Sequence, residues 1–161
     1  MAAWYRVLTA KTRSYICVAG FKPIIRLLSE RFASAILVQS LAKRLWDTIH
    51  TFHIAAREMI VTPHDFHHMI ALRCNGAFIN LEGESGTQLG IDLLRRRYTT
   101  EMICYFNIEM DYKPLPQVTA DNSAQMAKTF LLYLLRAYLF ANRGQTVSLR
   151  WLALFCNLGE D

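Results

Sequence analysis

Across residues 31–46 apolar side chains return every three or four positions, at Phe32, Ala35, Leu37, Val38, Leu41, Ala42 and Leu45, while Ser40, Lys43, Arg44 and Asp47 gather elsewhere. That period predicts an amphipathic helix. The pattern then changes. Thr51-Phe52-His53-Ile54 and Glu58-Met59-Ile60-Val61-Thr62 are short and rich in β-branched or aromatic residues. Separated by Ala55-Ala56-Arg57, they predict a small β-hairpin. Thr62-Pro63-His64-Asp65 next offers a capping hydroxyl, a proline at the first helical position and a carboxylate at the third, each suited to the unpaired amides of a helix start. A helix is expected from Pro63, burying Phe66, Met69 and Ile70 and stopping near Cys74-Asn75-Gly76, where Gly76 can take the left-handed conformation that ends helices.

Residues 80–90 hold Gly83, Gly86 and Gly90 among Glu82, Glu84, Ser85 and Thr87, a composition that predicts a surface loop. Helical pattern resumes over residues 91–106. After Pro114-Leu115-Pro116, Thr119 or Asp121 can cap a long helix whose inward face is Met126, Ala127, Phe130, Leu131, Leu134, Leu135 and Tyr138. It is expected to end around Asn142-Arg143-Gly144. Thr146 or Ser148 then opens another helix carrying Leu149, Leu152 and Phe155. The expectation is a mainly α fold, a single helical domain over residues 1–161 with one small β-hairpin.

Composition agrees with a packed domain. The chain has 161 residues, 53% of them hydrophobic and 19% charged, far from the polar, highly charged regime in which chains stay unfolded. The most apolar window, residues 129–141, contains Arg136 and is shorter than the roughly 20 residues a bilayer span requires. The first fifteen residues carry Lys11 and Arg13 without an apolar segment and cleavage site, so no signal peptide is expected. Cys17, Cys74, Cys104 and Cys156 have no paired spacing and read as reduced, mostly buried thiols. A net charge of +5 mildly favours nucleic acid or acidic partners. Its densest run, Arg95-Arg96-Arg97, reads as a solvated helix face, with basic contact to phosphate as the functional alternative.

The order of the central motifs carries a resemblance. Thr51-Phe52-His53-Ile54, Glu58-Met59 and Thr62-Pro63-His64-Asp65-Phe66 resemble the TFHL strand, the GEMT-type strand and the helix-starting T-[LP]-x-D-[VF] of the plant mobile domain of maintenance-of-meristems-like proteins. Ala19-Gly20-Phe21, the stretch from Leu72 to Gly76, and Phe130 to Leu135 with Leu139-Phe140 agree with further blocks, so the resemblance covers about residues 15–158. Phe52, His53, Glu58, Met59, Thr62, Pro63, Asp65, Gly76 and Trp151 are the motif positions, with structural roles. Three departures stand out: Arg57 for the glycine of GEMT, Ile60 for its second threonine, and Ala71 for the glycine before Leu72. If the turn required a positive φ at residue 57, arginine would cost about 1 kcal/mol relative to glycine. Family domains continue past Gly159-Glu160-Asp161, so the resemblance implies a partial, truncated copy lacking a C-terminal helical portion. It further implies a nuclear protein of transposon-related ancestry, connected with meristem maintenance, genome stability and silencing of repeats. Fused phosphatase domains and an aminotransferase-like label occur in the family. This chain lacks the GDxHG, GDxxDRG and GNHE signatures of the first and is far too short for the second.

Catalytic chemistry has thin support. His64-Asp65-Phe66-His67-His68 mimics H-E-x-x-H with aspartate for glutamate and sets His64 and His68 one helical turn apart, where two imidazoles could hold zinc. The shorter acid and the lack of a third ligand favour ordinary solvent-facing histidines. His50 and His53, three apart on a strand, point to opposite faces, and His53 reads as a hydrogen-bonded structural histidine. Gly83-Glu84-Ser85-Gly86 falls one residue short of a nucleophile elbow. Trp46, Tyr133, Tyr138, Trp151 and Phe155 fall mostly at core spacing and read as packing rather than as base-stacking platforms. No catalytic residue, metal ligand or cofactor is assigned. The expectation is a non-enzymatic interaction module with protein partners in a nuclear silencing setting and no membrane. A nucleic-acid-binding transposon remnant is the alternative.

Overall fold

The computed structural model describes residues 2–30, 40, 43–46, 51–54, 57–70, 81–139 and 145–158. In chain order the elements are helices α1 (Ala2–Val7), α2 (Ala10–Val18) and α3 (Lys22–Glu30), strands β1 (Leu45–Trp46), β2 (Thr51–Ile54) and β3 (Arg57–Met59), and helices α4 (Pro63–Ile70) and α5 (Gly86–Leu94). Strand β4 (Met102–Cys104), helix α6 (Tyr105–Tyr112) and helix α7 (Ala120–Leu134) follow, then a π-helical turn (Leu135–Leu139), strand β5 (Thr146–Ser148) and a 3-10 helix (Leu149–Phe155). The chain is mainly α with a small hairpin. Among the described residues no helix is long and apolar enough to cross a membrane. The residues divide into two compact units, 1–19 with 77–161, and 20–76.

The larger unit is built around α7. Every residue from Met126 to Arg136 is buried; the polar ones are paired, Lys128 Nζ donating to the Cys156 carbonyl at 3.1 Å and Thr129 Oγ1 to the Gln125 carbonyl at 2.7 Å, as burial of polar groups requires. Thr119 caps it, its Oγ1 accepting from the Asn122 amide at 3.2 Å. Trp4, fully buried, meets Phe130 and Tyr133 edge-on at centroid distances of 5.5 and 5.1 Å. Gln117 ties the α1–α2 turn to the loop before α7: its Oε1 accepts from the Thr9 amide at 3.0 Å and from the buried Thr12 hydroxyl at 2.7 Å.

The expected loop over 80–90 and helix over 91–106 are both corrected. Ser85 caps α5 by accepting from the Gln88 amide, so the helix starts five residues early and ends at Leu94. Its glycines are there for close packing rather than for turning. A Cβ on Gly86 would stand 3.1 Å from the Arg150 amide nitrogen, and one on Gly90 would stand 2.6 Å from the Tyr98 ring. Beyond Leu94 the chain leaves the helix, and Met102-Ile103-Cys104 pairs antiparallel with Thr146-Val147-Ser148. This second sheet replaces the expected helix over 102–104 and the expected helical opening at Thr146. Ser148 does cap the 3-10 helix, and Leu149, Leu152 and Phe155 are buried as expected. Buried Arg136 donates from Nε to the Thr146 carbonyl at 2.8 Å and lies over the Tyr105 ring. Of the cysteine expectation the burial is corrected: the free thiol Cys17 is exposed, while the free thiols Cys104 and Cys156 are half-buried. Cys74 lies outside the described residues.

In the smaller unit, β1, β2 and β3 form an antiparallel sheet in that order, and α3 packs beside α4. The hairpin is present, with Phe52 opposite Met59, His53 opposite Glu58 and Ile54 opposite Arg57. Its second strand spans 57–59 rather than 58–62, leaving Ile60 and Val61 exposed beyond it. Most of the helix expected over 31–46 lies outside the described residues. Its last four positions are corrected, since Lys43 and Arg44 form a turn and Leu45 and Trp46 form β1, pairing with Phe52 and Thr51. Cross-strand bonding recruits a two-residue piece of an amphipathic pattern that local period alone assigns to helix.

Candidate functional site

The motif positions of the smaller unit form one continuous piece, a hairpin running into a capped helix. Phe52 is half-buried on β2, and Met59 opposite it is exposed. His53 Nε2 lies 3.5 Å from the Thr51 hydroxyl and 3.7 Å from Glu58 Oε1 across the strands, which fits the expected hydrogen-bonded histidine. Arg57 is an ordinary strand residue. Among the described non-glycine residues only Arg95 and Gln145 have positive φ, so the turn imposes no glycine requirement at position 57.

The helix start follows its sequence signature atom for atom. Thr62 Oγ1 accepts from the Asp65 amide at 3.1 Å, and Asp65 Oδ2 accepts from the Thr62 amide at 3.0 Å and from its hydroxyl at 2.7 Å. This is a reciprocal capping box, with Pro63 at the one position that needs no amide donor. The hydrogen bond from the Thr62 hydroxyl, followed by the one from its amide, holds the Asp65 carboxyl below its ordinary pKa. His64 and His68, exposed and one turn apart, bring their Nε2 atoms to 3.0 Å. Gly76 and His50 lie outside the described residues, as does Ala71. Trp151 belongs to the larger unit and is half-buried in the 3-10 helix.

The arginine run is not a helix face. Arg95 ends α5 in the left-handed region, with φ 54° and ψ 33°, and its amide donates to the Gly90 carbonyl. Arg96 and Arg97 continue outside the helix. Two of the three guanidinium groups meet carboxylates: Arg95 Nη2 to Asp121 at 3.0 Å and Arg96 Nη1 to Asp111 at 2.6 Å. Under them, the Tyr98 and Tyr112 hydroxyls share a 2.7 Å hydrogen bond, and Tyr112 also donates to the Leu94 carbonyl. Burial pushes both phenols above their ordinary pKa. The cluster closes the end of α5, and two of its three positive charges face carboxylates.

One surface escaped sequence reasoning. On α6, Ile108 and Tyr112 are buried while Phe106 is 49% and Met110 74% exposed. With Glu109, Lys113 and Pro114 they line an open groove; the Glu109–Lys113 ion pair at 2.9 Å sits along it. The four-residue spacing of Phe106 and Met110 was the available signal. It was hidden because the segment also holds apolar residues on its inner face. Ser85, the elbow candidate, spends its hydroxyl on the α5 cap and on Thr87. Among the described residues no three His, Cys, Asp or Glu side chains stand where they could share a metal ion. Comparison of the chain with protein-family models, with curated proteins and with solved structures finds no match.

Proposed function

We propose that this chain is a non-enzymatic interaction module acting with protein partners in a nuclear, silencing-related setting of the kind the plant mobile domain resemblance implies. The observation that carries the interaction reading is the outer face of α6, where Phe106 and Met110 lie open to solvent at helical spacing beside a Glu109–Lys113 pair. Large apolar side chains grouped on one exposed helix face are characteristic of surfaces that another protein covers. The nuclear setting rests on the motif order from Thr51 to Phe66 alone. The alternative, nucleic-acid binding through Arg95-Arg96-Arg97, has less support because Asp121 and Asp111 engage two of the three guanidinium groups.

The test is a tagged full chain expressed in plant cells, beside a Met110→Asp variant checked for an unchanged melt. Expected are nuclear accumulation and a defined set of co-purifying proteins that Met110→Asp loses. A cytoplasmic distribution overturns the setting, and a partner set untouched by Met110→Asp overturns the surface. In a gel-shift titration no duplex-DNA complex is expected at about 50 mM salt. One that forms there and weakens steeply by about 200 mM would favour the nucleic-acid reading.

A further inference from the structure

Independently of that reading, we propose that His64 and His68 form a two-nitrogen chelate for a divalent transition-metal ion of the nickel or copper type on the exposed side of α4. The two rings stand edge to face, centroids 4.3 Å apart, with Nε2 atoms separated by 3.0 Å. With metal–nitrogen bonds of about 2.0–2.1 Å, nitrogens at that separation subtend about 94° at a shared ion. That is close to the cis angle of about 90° in tetragonal and octahedral coordination and well below the roughly 109° of a tetrahedral site. The geometry therefore selects against zinc in its usual structural form, the metal the H-E-x-x-H mimicry first brings to mind.

The site is set up by the helix start. His64 is the second residue of α4, and its turn is pinned by the mutual Thr62–Asp65 hydrogen bonds. Helical spacing then stacks His68 directly above it. The Asp65 carboxylate is occupied by Thr62 and stays outside the donor set, but its negative charge beside both rings favours a bound cation. In the metal-free protein one Nε2 must carry the hydrogen of the 3.0 Å contact while the other accepts it. Binding needs that ring to shift its hydrogen from Nε2 to Nδ1, breaking one N–H and forming another, and gives up the hydrogen bond between the rings, so that both rings present an Nε2 lone pair to the ion. Two side chains fill two positions, and water fills the others.

Isothermal titration of the full chain with NiCl2 at pH 7.5 tests this. One Ni2+ per chain is expected, with a matching rise in melting temperature that Mg2+ does not produce. His64→Ala and His68→Ala are each expected to weaken binding by about tenfold or more, and His67→Ala to leave it unchanged. His68→Gln, a polar replacement at an exposed position, serves if an alanine variant folds poorly. No binding at all, binding that survives loss of either histidine, or equal loss in His67→Ala would each overturn the proposal.

Discussion

The two small sheets of this protein are built on opposite terms. β2 and β3 are joined by residues 55 and 56, and all three residues of β3 are exposed. β4 and β5 are separated by some forty residues of chain, yet Ile103 and Val147 face each other at 7% and 4% exposure. The second pair is held by its surroundings: Arg136 donates to the Thr146 carbonyl, and the Leu149 amide to the Glu101 carbonyl at 2.8 Å. A short connection makes pairing cheap in chain entropy, so the hairpin can form with little burial. The distant pair has to be stabilised by the core it joins.

The largest effect should come from testing that difference directly. Ile103→Ala removes buried methylenes from the β4–β5 pair and is expected to destabilise the larger unit by about 2–5 kcal/mol. Met59→Ala on β3 is expected to change stability by less than about 0.5 kcal/mol. Urea melts of the two variants against the parent chain measure both. Equal costs would mean that β3 is covered in solution, and the contrast between the sheets would fail.

A smaller effect belongs to the local side of the comparison. Thr62→Ala removes the hydroxyl from the capping box that follows the hairpin and is expected to cost about 1 kcal/mol at neutral pH. Because the folded-state pKa of Asp65 is lowered, the carboxylate's contribution is present above its unfolded value of about 3.9. It is lost as pH falls through the folded value. The gap between parent and Thr62→Ala should therefore be full at pH 6 and narrow below about pH 4. A gap that stays constant down to pH 3 would show that the carboxylate plays no part in the cap.

The same contrast explains what could be read from the sequence. The Thr62-Pro63-His64-Asp65 start, the hairpin before it, the Thr119 cap and the inward face of α7 are all written within a few residues of where they act. The two caps match the structure, the hairpin is present with a shorter second strand, and Met126, Ala127, Phe130, Leu131 and Leu134 are buried, as are the residues between them. α5 is not legible locally because Gly86 and Gly90 look like turn residues until Arg150 and Tyr98 are seen against them. β4 and β5 are hidden from the local pattern because neither three-residue strand has a period of its own, and each takes its form from a distant partner. The His64–His68 spacing was legible, but the 3.0 Å approach of their nitrogens depends on ring orientation and was not.

Arg95 stands where the two regimes meet, because it ends a locally capped helix and sends the chain toward the non-local β4. Its left-handed backbone costs about 1 kcal/mol for a residue with a Cβ, and glycine is the usual occupant of such a position. What arginine adds is the 3.0 Å pair with Asp121, whose partners are 58% and 72% exposed; such a pair contributes about 0.2–1 kcal/mol. The two terms nearly cancel. Arg95→Gly is therefore expected to leave stability within about 0.5 kcal/mol of the parent. Arg95→Val, which keeps the backbone strain, worsens it by β-branching and loses the ion pair, should cost more than about 1 kcal/mol. Thermal melts of both variants decide the matter. A large loss in Arg95→Gly would mean that the guanidinium, rather than the backbone geometry, organises this turn.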